Sequence, residues 1–130
     1  MTPPAPLVVL IAEDEVLVSR FLADLVEDAG MVVGGIARSA DEARAAAAAR
    51  PPELALVDVN LKGSSGNGID LAANLMAGHG TAIIFITGES GVADWPEVTA
   101  LQPAAVLEKP FLPDELIAAL RCAADARIPG

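Results

Sequence analysis

The sequence has few aromatic residues, one cysteine and little positive charge. It contains no tyrosine, one tryptophan and three phenylalanines, and its single cysteine, Cys122, excludes a disulfide within the chain. Eight basic residues stand against eighteen acidic ones, which gives a net charge of −10. This charge disfavours DNA, RNA and anionic lipid surfaces as partners. An unpaired cysteine is typical of the reducing cytoplasm, where we expect this protein to be located.

Long apolar runs are also absent. None approaches the roughly 20 residues that a membrane-spanning helix requires, and residues 1–6 lack the basic start and long apolar segment of a secretory signal. We therefore expect no membrane association. Hydrophobic residues nevertheless make up 53% of the 130 residues, enough to bury a core. We predict a single domain over residues 1–130, with a folded core at about 7–127 and a flexible tail at 1–6.

Apolar runs and helical patterns alternate five times along the chain. Ser39 with Glu42 forms a capping box at the start of one helix, Asn67 is expected to cap another, and Pro113 begins the last. The alternation predicts an α/β fold, a flavodoxin-like doubly wound sheet of five parallel strands in the order 2-1-3-4-5 with helices on both faces. The predicted strands are residues 7–12, 31–37, 54–58, 82–86 and 104–107.

Side-chain spacing predicts which residues of the helices face the core. We interpret Cys122 as a packed residue of the last helix. Pro96 restricts any helix in the segment 91–101 to a short one, or to one that starts at the proline. In the first helix, apolar residues recur at three- and four-residue spacing, which predicts a buried stripe of Val18, Phe21, Leu22, Leu25 and Ala29.

Polar side chains follow four of the predicted strands. Glu13 and Asp14 follow the first, Asp58 ends the third, Thr87 follows the fourth and Lys109 follows the fifth. Each residue alone has an ordinary interpretation, as a helix cap, a turn residue or an exposed side chain. In the order 2-1-3-4-5, however, these four strands are neighbours, so their carboxyl ends meet at one edge of the sheet. We therefore expect the polar residues to converge there.

A group of three carboxylates at one place has a specific chemical requirement. The charges repel one another and favour protonation of at least one group, unless a divalent cation neutralises them. Mg²⁺, or Mn²⁺ in its place, prefers such oxygen ligands and commonly shares them with phosphate oxygens. An aspartate can itself attack a phosphoryl group to form an acyl phosphate, while a lysine and a hydroxyl stabilise the phosphoryl charge. The pattern therefore favours phosphoryl transfer.

From Leu7 to about Arg121 the chain resembles the receiver domain of two-component response regulators, whose fold is CheY-like. The resemblance implies a non-enzymatic switch, with at most self-phosphorylation from small phosphodonors and autodephosphorylation. Its implied partners are a sensor histidine kinase or a histidine phosphotransfer protein, and an unidentified downstream protein. We expect the domain to act alone. The residues that carry the resemblance are Glu13-Asp14, Asp58, Thr87-Gly88 and Lys109-Pro110-Phe111.

The resemblance also implies a role for each acid at the strand ends. Asp58 is the implied phosphoacceptor. Asp14 and Asp58 would bind Mg²⁺ directly, and Glu13 would act through a water molecule. The backbone carbonyl of Asn60 would complete the protein ligands.

The remaining implied roles concern the phosphoryl group and its lifetime. Lys109 would contact the phosphoryl group, Thr87 would move towards it after phosphorylation, and Gly88 would leave space for both. We further hypothesise that Glu89 and Asn60 face the path of the water that hydrolyses the acyl phosphate, and so set its lifetime.

Four features concern how closely the chain follows the family pattern. Val106 stands where many receivers carry the tyrosine or phenylalanine that changes rotamer on activation, so a different readout is expected. The glycine-rich stretch 62–68 replaces a tighter turn that includes proline, and we expect this loop to be mobile. The stretch 85–90 partly resembles the FATGUY subclass of stand-alone receivers, but it lacks the alanine and the final aromatic residue. As in the family, the bond before Pro110 is expected to be cis.

Two other functions fit the same fold. A pseudo-receiver would be a protein-interaction module without phosphoryl chemistry, but no acid, threonine or lysine of the pattern is missing. A flavodoxin-like or hydrolytic enzyme would need glycines and backbone amides after the first strand to hold a phosphate. The acidic residues 13–15 occupy that place, so the enzyme interpretation is the weaker of the two.

Overall fold

The computed structural model describes residues 6–61 and 67–127. Within these ranges five strands and five α-helices alternate, with one 3₁₀ turn at Val92–Asp94 before the fourth helix. Most of the predicted loop 62–68 and of the predicted tail 1–6 lies outside the described residues. The elements are β1 Val8–Ala12, α1 Val16–Asp28, β2 Val32–Ala37, α2 Ala40–Ala49, β3 Leu54–Asp58, α3 Gly68–His79, β4 Ala82–Thr87, α4 Pro96–Thr99, β5 Ala105–Glu108 and α5 Pro113–Arg127.

The sheet has the predicted architecture. All four pairings are parallel and the strand order is β2-β1-β3-β4-β5. The one irregularity is between β1 and β2, where Val9 pairs with Val33 but Leu10 pairs with Gly35. A Cβ on the intervening Gly34 would lie 2.4 Å from Cγ1 of Val8. The glycine thus permits the close approach of the Val8 side chain to edge strand β2.

Helices cover both faces of the sheet, and each face has its own apolar cluster. Residues of α1 and α5 pack on one face around Ile11, Leu56 and Ile84. Residues of α2, α3 and the α4 region pack on the other face around Leu10, Val57 and Phe85. All five residues of β3 are buried. The central strand that ends at Asp58 is therefore held on both faces and at both edges.

The predicted helix caps are present, with one difference in detail. The Ser39 hydroxyl accepts a hydrogen bond from the amide of Glu42 at 3.2 Å, but the Glu42 carboxylate accepts from the amide of Arg38 rather than from Ser39 itself. The Asn67 side chain accepts from the amides of Ile69 and Asp70 at the start of α3. These bonds satisfy amides that the first turn of a helix leaves without partners.

Two predictions about buried side chains are wrong. Phe21 is 40% exposed. Among the described aromatic residues its ring meets only Phe111, at 6.1 Å between centroids. Cys122 is exposed on α5, whereas its neighbours Ala123 and Ala124 are buried. The helical period predicted a stripe correctly, but its width depends on where the neighbouring element ends. The short α4 begins at Pro96, as predicted.

The helices of the described part of the chain are all too short or too polar to cross a bilayer.

Candidate functional site

Four strand ends bring their polar residues to one edge of the sheet. The register aligns Ala12 with Val57, the residues that precede Glu13 and Asp58. It also aligns Thr87 of β4 with Glu108 of β5, which precedes Lys109. The predicted convergence is therefore a consequence of parallel strands that end at the same level.

The three carboxylates form one cluster. A carboxylate oxygen from each of Glu13, Asp14 and Asp58 lies within 4.8 Å of the other two. Glu13 is 1% exposed and Asp58 is 9% exposed, whereas Asp14 is half-buried. The acids are thus arranged by depth, with Glu13 beneath and Asp14 nearer to solvent.

The deepest acid, Glu13, is held by two hydrogen bonds. One of its carboxylate oxygens accepts from Nζ of Lys109 at 3.0 Å, and the other accepts from the amide of Glu15 at 3.1 Å. Burial raises the pKa of Glu13, because desolvation and the nearby charge of Asp58 outweigh these two bonds. The expected repulsion between carboxylates therefore acts on Glu13, although burial raises the pKa of Glu13 more than the charge of Asp58 does.

Lys109 lies between two of the acids. Its Nζ is 3.0 Å from Glu13 and 3.7 Å from Oδ2 of Asp58. Burial alone would lower the pKa of Lys109, but the hydrogen bond to Glu13 and the negative charges nearby prevail and raise it. The ammonium group is therefore charged at neutral pH and faces the carboxylate of Asp58.

A tight turn after β3 fixes the backbone around Asp58. The amide of Asn60 donates to Oδ1 of Asp58 at 2.9 Å, and the amide of Leu61 donates to the Asp58 carbonyl at 3.1 Å. The amide of Val59 continues the sheet by donating to Ile86. The Asp58 carboxylate is consequently oriented by its own chain.

A hydrogen-bonded bridge connects this turn to the end of β4. The amide of Glu89 donates to Oγ1 of Thr87 at 2.9 Å, and the Glu89 carboxylate accepts from the side-chain amide of Asn60 at 2.9 Å. Thr87 is fully buried, whereas Asn60 and Glu89 are exposed. The bridge therefore spans the surface above the buried hydroxyl.

An open pocket of about 380 Å³ lies over the cluster. Glu13 and Thr87 are buried at this edge but do not line the pocket. A Cβ on Gly88 would meet no atom within 4 Å, which agrees with the expected free space there. The lining residues are Asp14, Glu15, Asp58, Asn60, Gly88 and Lys109.

Two further predicted positions lie on or next to β5. The bond between Lys109 and Pro110 is cis, as expected. Val106 is partly buried against the cluster on the α2–α3 face, so this position offers no aromatic ring to rotate.

Sequence reasoning did not identify two contributors to the site. Glu15 lines the pocket and donates its amide to Glu13, although only its acidity was visible in the sequence. Gly68 packs directly on the backbone of Asp58. The available signal was a glycine next to the predicted cap Asn67, in the first turn of a helix, where glycine has low intrinsic propensity.

Comparison with protein families gives one assignment for most of the chain. Residues 9–121 match the response regulator receiver domain. The chain is 34% identical over 117 residues to the phyllosphere-induced regulator PhyR of Methylorubrum extorquens, covering 86% of this chain and 41% of that protein. It is 35% identical over 117 residues to the KDP operon transcriptional regulatory protein KdpE of Escherichia coli, covering 88% and 50%. The chain thus spans half or less of these two curated relatives.

Solved structures agree with this assignment over nearly the whole chain. The signal receiver domain of a modulated diguanylate cyclase from Desulfovibrio desulfuricans has a TM-score of 0.84 and 33% identity, covering 94% of this chain and 96% of that one. The receiver domain of PhyR from Erythrobacter litoralis has a TM-score of 0.80 and 30% identity, covering 96% and 95%.

Proposed function

Because the chain belongs to the response regulator receiver domain family, we propose that it is a phosphorylation-controlled switch in which Asp58 accepts the phosphoryl group. One observation carries the proposal: the Asp58 carboxylate lines an open pocket together with Asp14 and Lys109, and a carboxylate oxygen of the buried Glu13 lies within 4.8 Å of it. The test is incubation with acetyl phosphate and Mg²⁺, which should add one phosphoryl group, located on Asp58 by tandem mass spectrometry. A chain that does not react would support the pseudo-receiver alternative.

The donor set fits a hard divalent cation. Asp14, Asp58 and the backbone carbonyl of Asn60 would bind Mg²⁺, or Mn²⁺, directly, since all three residues line the pocket. Glu13 is buried and already accepts from Lys109 and Glu15, which supports a role through water. The cation would offset the repulsion among the carboxylates and stabilise charge on the phosphoryl oxygens.

The covalent step uses only Asp58 from this chain. A carboxylate oxygen attacks the phosphorus atom of a phosphohistidine, the P–N bond breaks, and the imidazole nitrogen keeps the electron pair. The product is an acyl phosphate. Hydrolysis reverses the modification, because water attacks the phosphorus, the P–O bond to Asp58 breaks, and the carboxylate and inorganic phosphate are released.

Lys109 and Thr87 would report the change. Lys109 is already 3.7 Å from Asp58 and would contact a phosphoryl oxygen. Thr87 would give up the bond that its hydroxyl oxygen accepts from the amide of Glu89 and would donate its O–H to another phosphoryl oxygen. Gly88 leaves room for this movement. The change would then pass along the segment after β4, whose Gly91 amide donates to Glu108 of β5 at 3.1 Å. This connection gives a route to the α4–β5–α5 face that needs no aromatic ring at position 106.

The partners follow from the same chemistry. A sensor histidine kinase or a histidine phosphotransfer protein would supply the phosphoryl group, and another protein would bind the altered surface. The net charge of −10 disfavours nucleic acid as a partner, and we propose a cytoplasmic location. Capture with beryllofluoride-treated protein, compared with untreated protein, would identify the downstream partner.

The bridge between Asn60 and Glu89 should control the lifetime of the acyl phosphate. Replacing either residue with alanine removes the bond across the pocket mouth and opens the path of water. Dephosphorylation should therefore accelerate by roughly three- to tenfold, which corresponds to the net free energy of about one hydrogen bond. Glu89→Gln is the matched control, because glutamine still accepts the bond from Asn60. Loss of labelled phosphate measures the rate. An unchanged rate in both alanine variants would exclude this role.

An exposed apolar surface flanks the pocket. Leu17 is 81% exposed, Leu112 is 65% exposed, and Val16 is 48% exposed. Val16 and Leu17 follow Glu15 of the pocket lining, and Leu112 lies three residues after Lys109. A protein that delivers phosphate to Asp58 must cover this region, so we propose that it docks here. The proposed docking surface consists of Val16, Leu17, Phe21, Phe111 and Leu112.

Leu17→Ser should separate docking from chemistry. A purified histidine kinase is first selected by profiling the kinases of the source organism with labelled ATP. Phosphotransfer from this kinase to the variant should slow by about tenfold. The reason is that an exposed leucine that becomes buried on docking contributes roughly 1–2 kcal/mol to the binding free energy. The rate with acetyl phosphate should not change. Ile36→Ser, an exposed apolar residue on edge strand β2, is the control. Equal slowing in both variants, or none in Leu17→Ser, would contradict the assignment.

A further inference from the structure

Gly68 begins α3 at a place where a side chain cannot fit. A Cβ built on it would lie 2.0 Å from the carbonyl oxygen of Asp58, 2.9 Å from the Asp58 carbonyl carbon and 3.1 Å from Cγ1 of Val57. The first two atoms belong to the backbone of the proposed phosphoacceptor. Contacts below about 3 Å are not tolerated by close-packed atoms, so one of the two segments would have to move. The backbone conformation of Gly68 lies outside the left-handed region, so space alone requires the glycine.

Neither segment can move as a whole. β3 is buried along its length and pairs with β1 and β4. The first turn of α3 is held by Asn67, whose side chain accepts from two amides, and by the buried Leu71, Ala72 and Leu75. The displacement should therefore concentrate at the end of β3, in Asp58 and the turn that follows.

The atom that Gly68 approaches also closes that turn. The Asp58 carbonyl accepts from the amide of Leu61 at 3.1 Å, and within the same turn the amide of Asn60 donates to the Asp58 carboxylate. A shift of this carbonyl would change the positions of both the carboxylate and Asn60. The carboxylate is in turn only 3.7 Å from Lys109.

We propose that Gly68 is a positioning residue for the phosphoacceptor: its lack of a side chain lets α3 support the backbone of Asp58 and so fixes the carboxylate relative to Lys109 and the other acids. The inference rests on the proposed function, because it specifies what holds the reacting group in place. Reactivity of an attacking group depends steeply on such placement.

Gly68→Ala tests the inference, and Gly78→Ala is its control in the same helix. A Cβ at Gly78 meets no atom within 4 Å, so that variant should behave as wild type. With acetyl phosphate and Mg²⁺, at a temperature where circular dichroism shows each protein fully folded, Gly68→Ala should react at least about tenfold more slowly. Its Asn60 and Leu61 amide resonances should shift, while those of Gly78→Ala stay in place. A folded Gly68→Ala protein with the wild-type rate and resonances would overturn the inference.

Two further outcomes separate this inference from the proposed function and from a general role of Gly68 in folding. If wild type does not react with acetyl phosphate, the proposed function fails, and the amide resonances still decide whether Gly68 fixes the Asp58 turn. If Gly68→Ala is unstable, it is combined with Gly78→Ala, which stabilises α3 because alanine has a higher helix propensity than glycine and meets no atom at this position. The combined variant is measured in trimethylamine N-oxide, which favours the folded state. A combined variant that still does not fold would overturn the inference, because the glycine would then serve the fold as a whole.

Discussion

Asp58→Asn should abolish phosphorylation while leaving the fold intact. Asparagine keeps an oxygen that can accept from the amide of Asn60, as Oδ1 of Asp58 does now, but it cannot form an acyl phosphate. Incorporation from acetyl phosphate should therefore fall at least about a hundredfold, to background, as expected when the nucleophile of a covalent route is removed. Intact-mass spectrometry of the protein with acetyl phosphate and Mg²⁺ measures this directly.

The controls for this prediction address site and metal separately. Asp24→Asn removes a carboxylate from the exposed side of α1 and should leave the rate unchanged. Chelation of divalent cations with EDTA should slow the wild type strongly, because three unscreened carboxylates repel an anionic phosphodonor. Wild-type incorporation in Asp58→Asn would mean that another residue accepts the phosphoryl group.

Lys109→Ala should uncouple phosphorylation from the conformational response. Asp58 remains available, so the variant should still accept phosphate, but no ammonium group would connect the phosphoryl oxygens to β5. Trp95, the single tryptophan of the chain, lies partly buried at the start of α4. Its fluorescence should therefore change when beryllofluoride binds to the wild type and stay nearly constant in Lys109→Ala. A wild-type response in the variant would refute the signalling role of Lys109.

The same substitution should also destabilise the fold. Glu13 is 1% exposed and would lose its 3.0 Å bond from Lys109. Loss of one hydrogen-bond partner of a buried carboxylate lowers the free energy of unfolding by roughly 1–3 kcal/mol. Because the lysine is partly exposed, we expect a value towards the lower end of this range. Urea unfolding measures the change. Lys109→Arg, which keeps a cation, should recover most of the loss, and Arg121→Ala on the exposed side of α5 should have little effect.

Parts of the site could be predicted because they depend on local pattern and on general rules of topology. The apolar runs before Glu13, Asp58 and Lys109 indicate strands, and right-handed parallel connections leave few possible orders. Once β1, β3, β4 and β5 are neighbours, their carboxyl ends must meet. The convergence of four polar strand ends therefore follows from residues that are each ambiguous alone.

Other parts could not be predicted, because they depend on distances between segments far apart in the chain. Helical spacing predicts that Phe21 is buried, and the sequence favours a packed Cys122, but both side chains are exposed. The extent of burial depends on where neighbouring elements end. The adjacent acids Glu13 and Asp14 look equivalent in the sequence. Only packing makes Glu13 the buried partner of Lys109, which is 96 residues away in the chain. Asp14 instead lines the pocket.

The sequence by itself thus determined the fold class, the strand order and the set of groups available for phosphoryl chemistry, since strand and helix patterns and strand-end residues are properties of short segments. The tertiary structure decided how those groups are arranged: which acid is deepest, which bonds orient Asp58, and why Gly68 has no side chain. The physical reason is that desolvation, hydrogen bonding and steric contact change over a few tenths of an ångström to a few ångströms. Distances of that size between remote segments are set only when α3 and the strands have packed together.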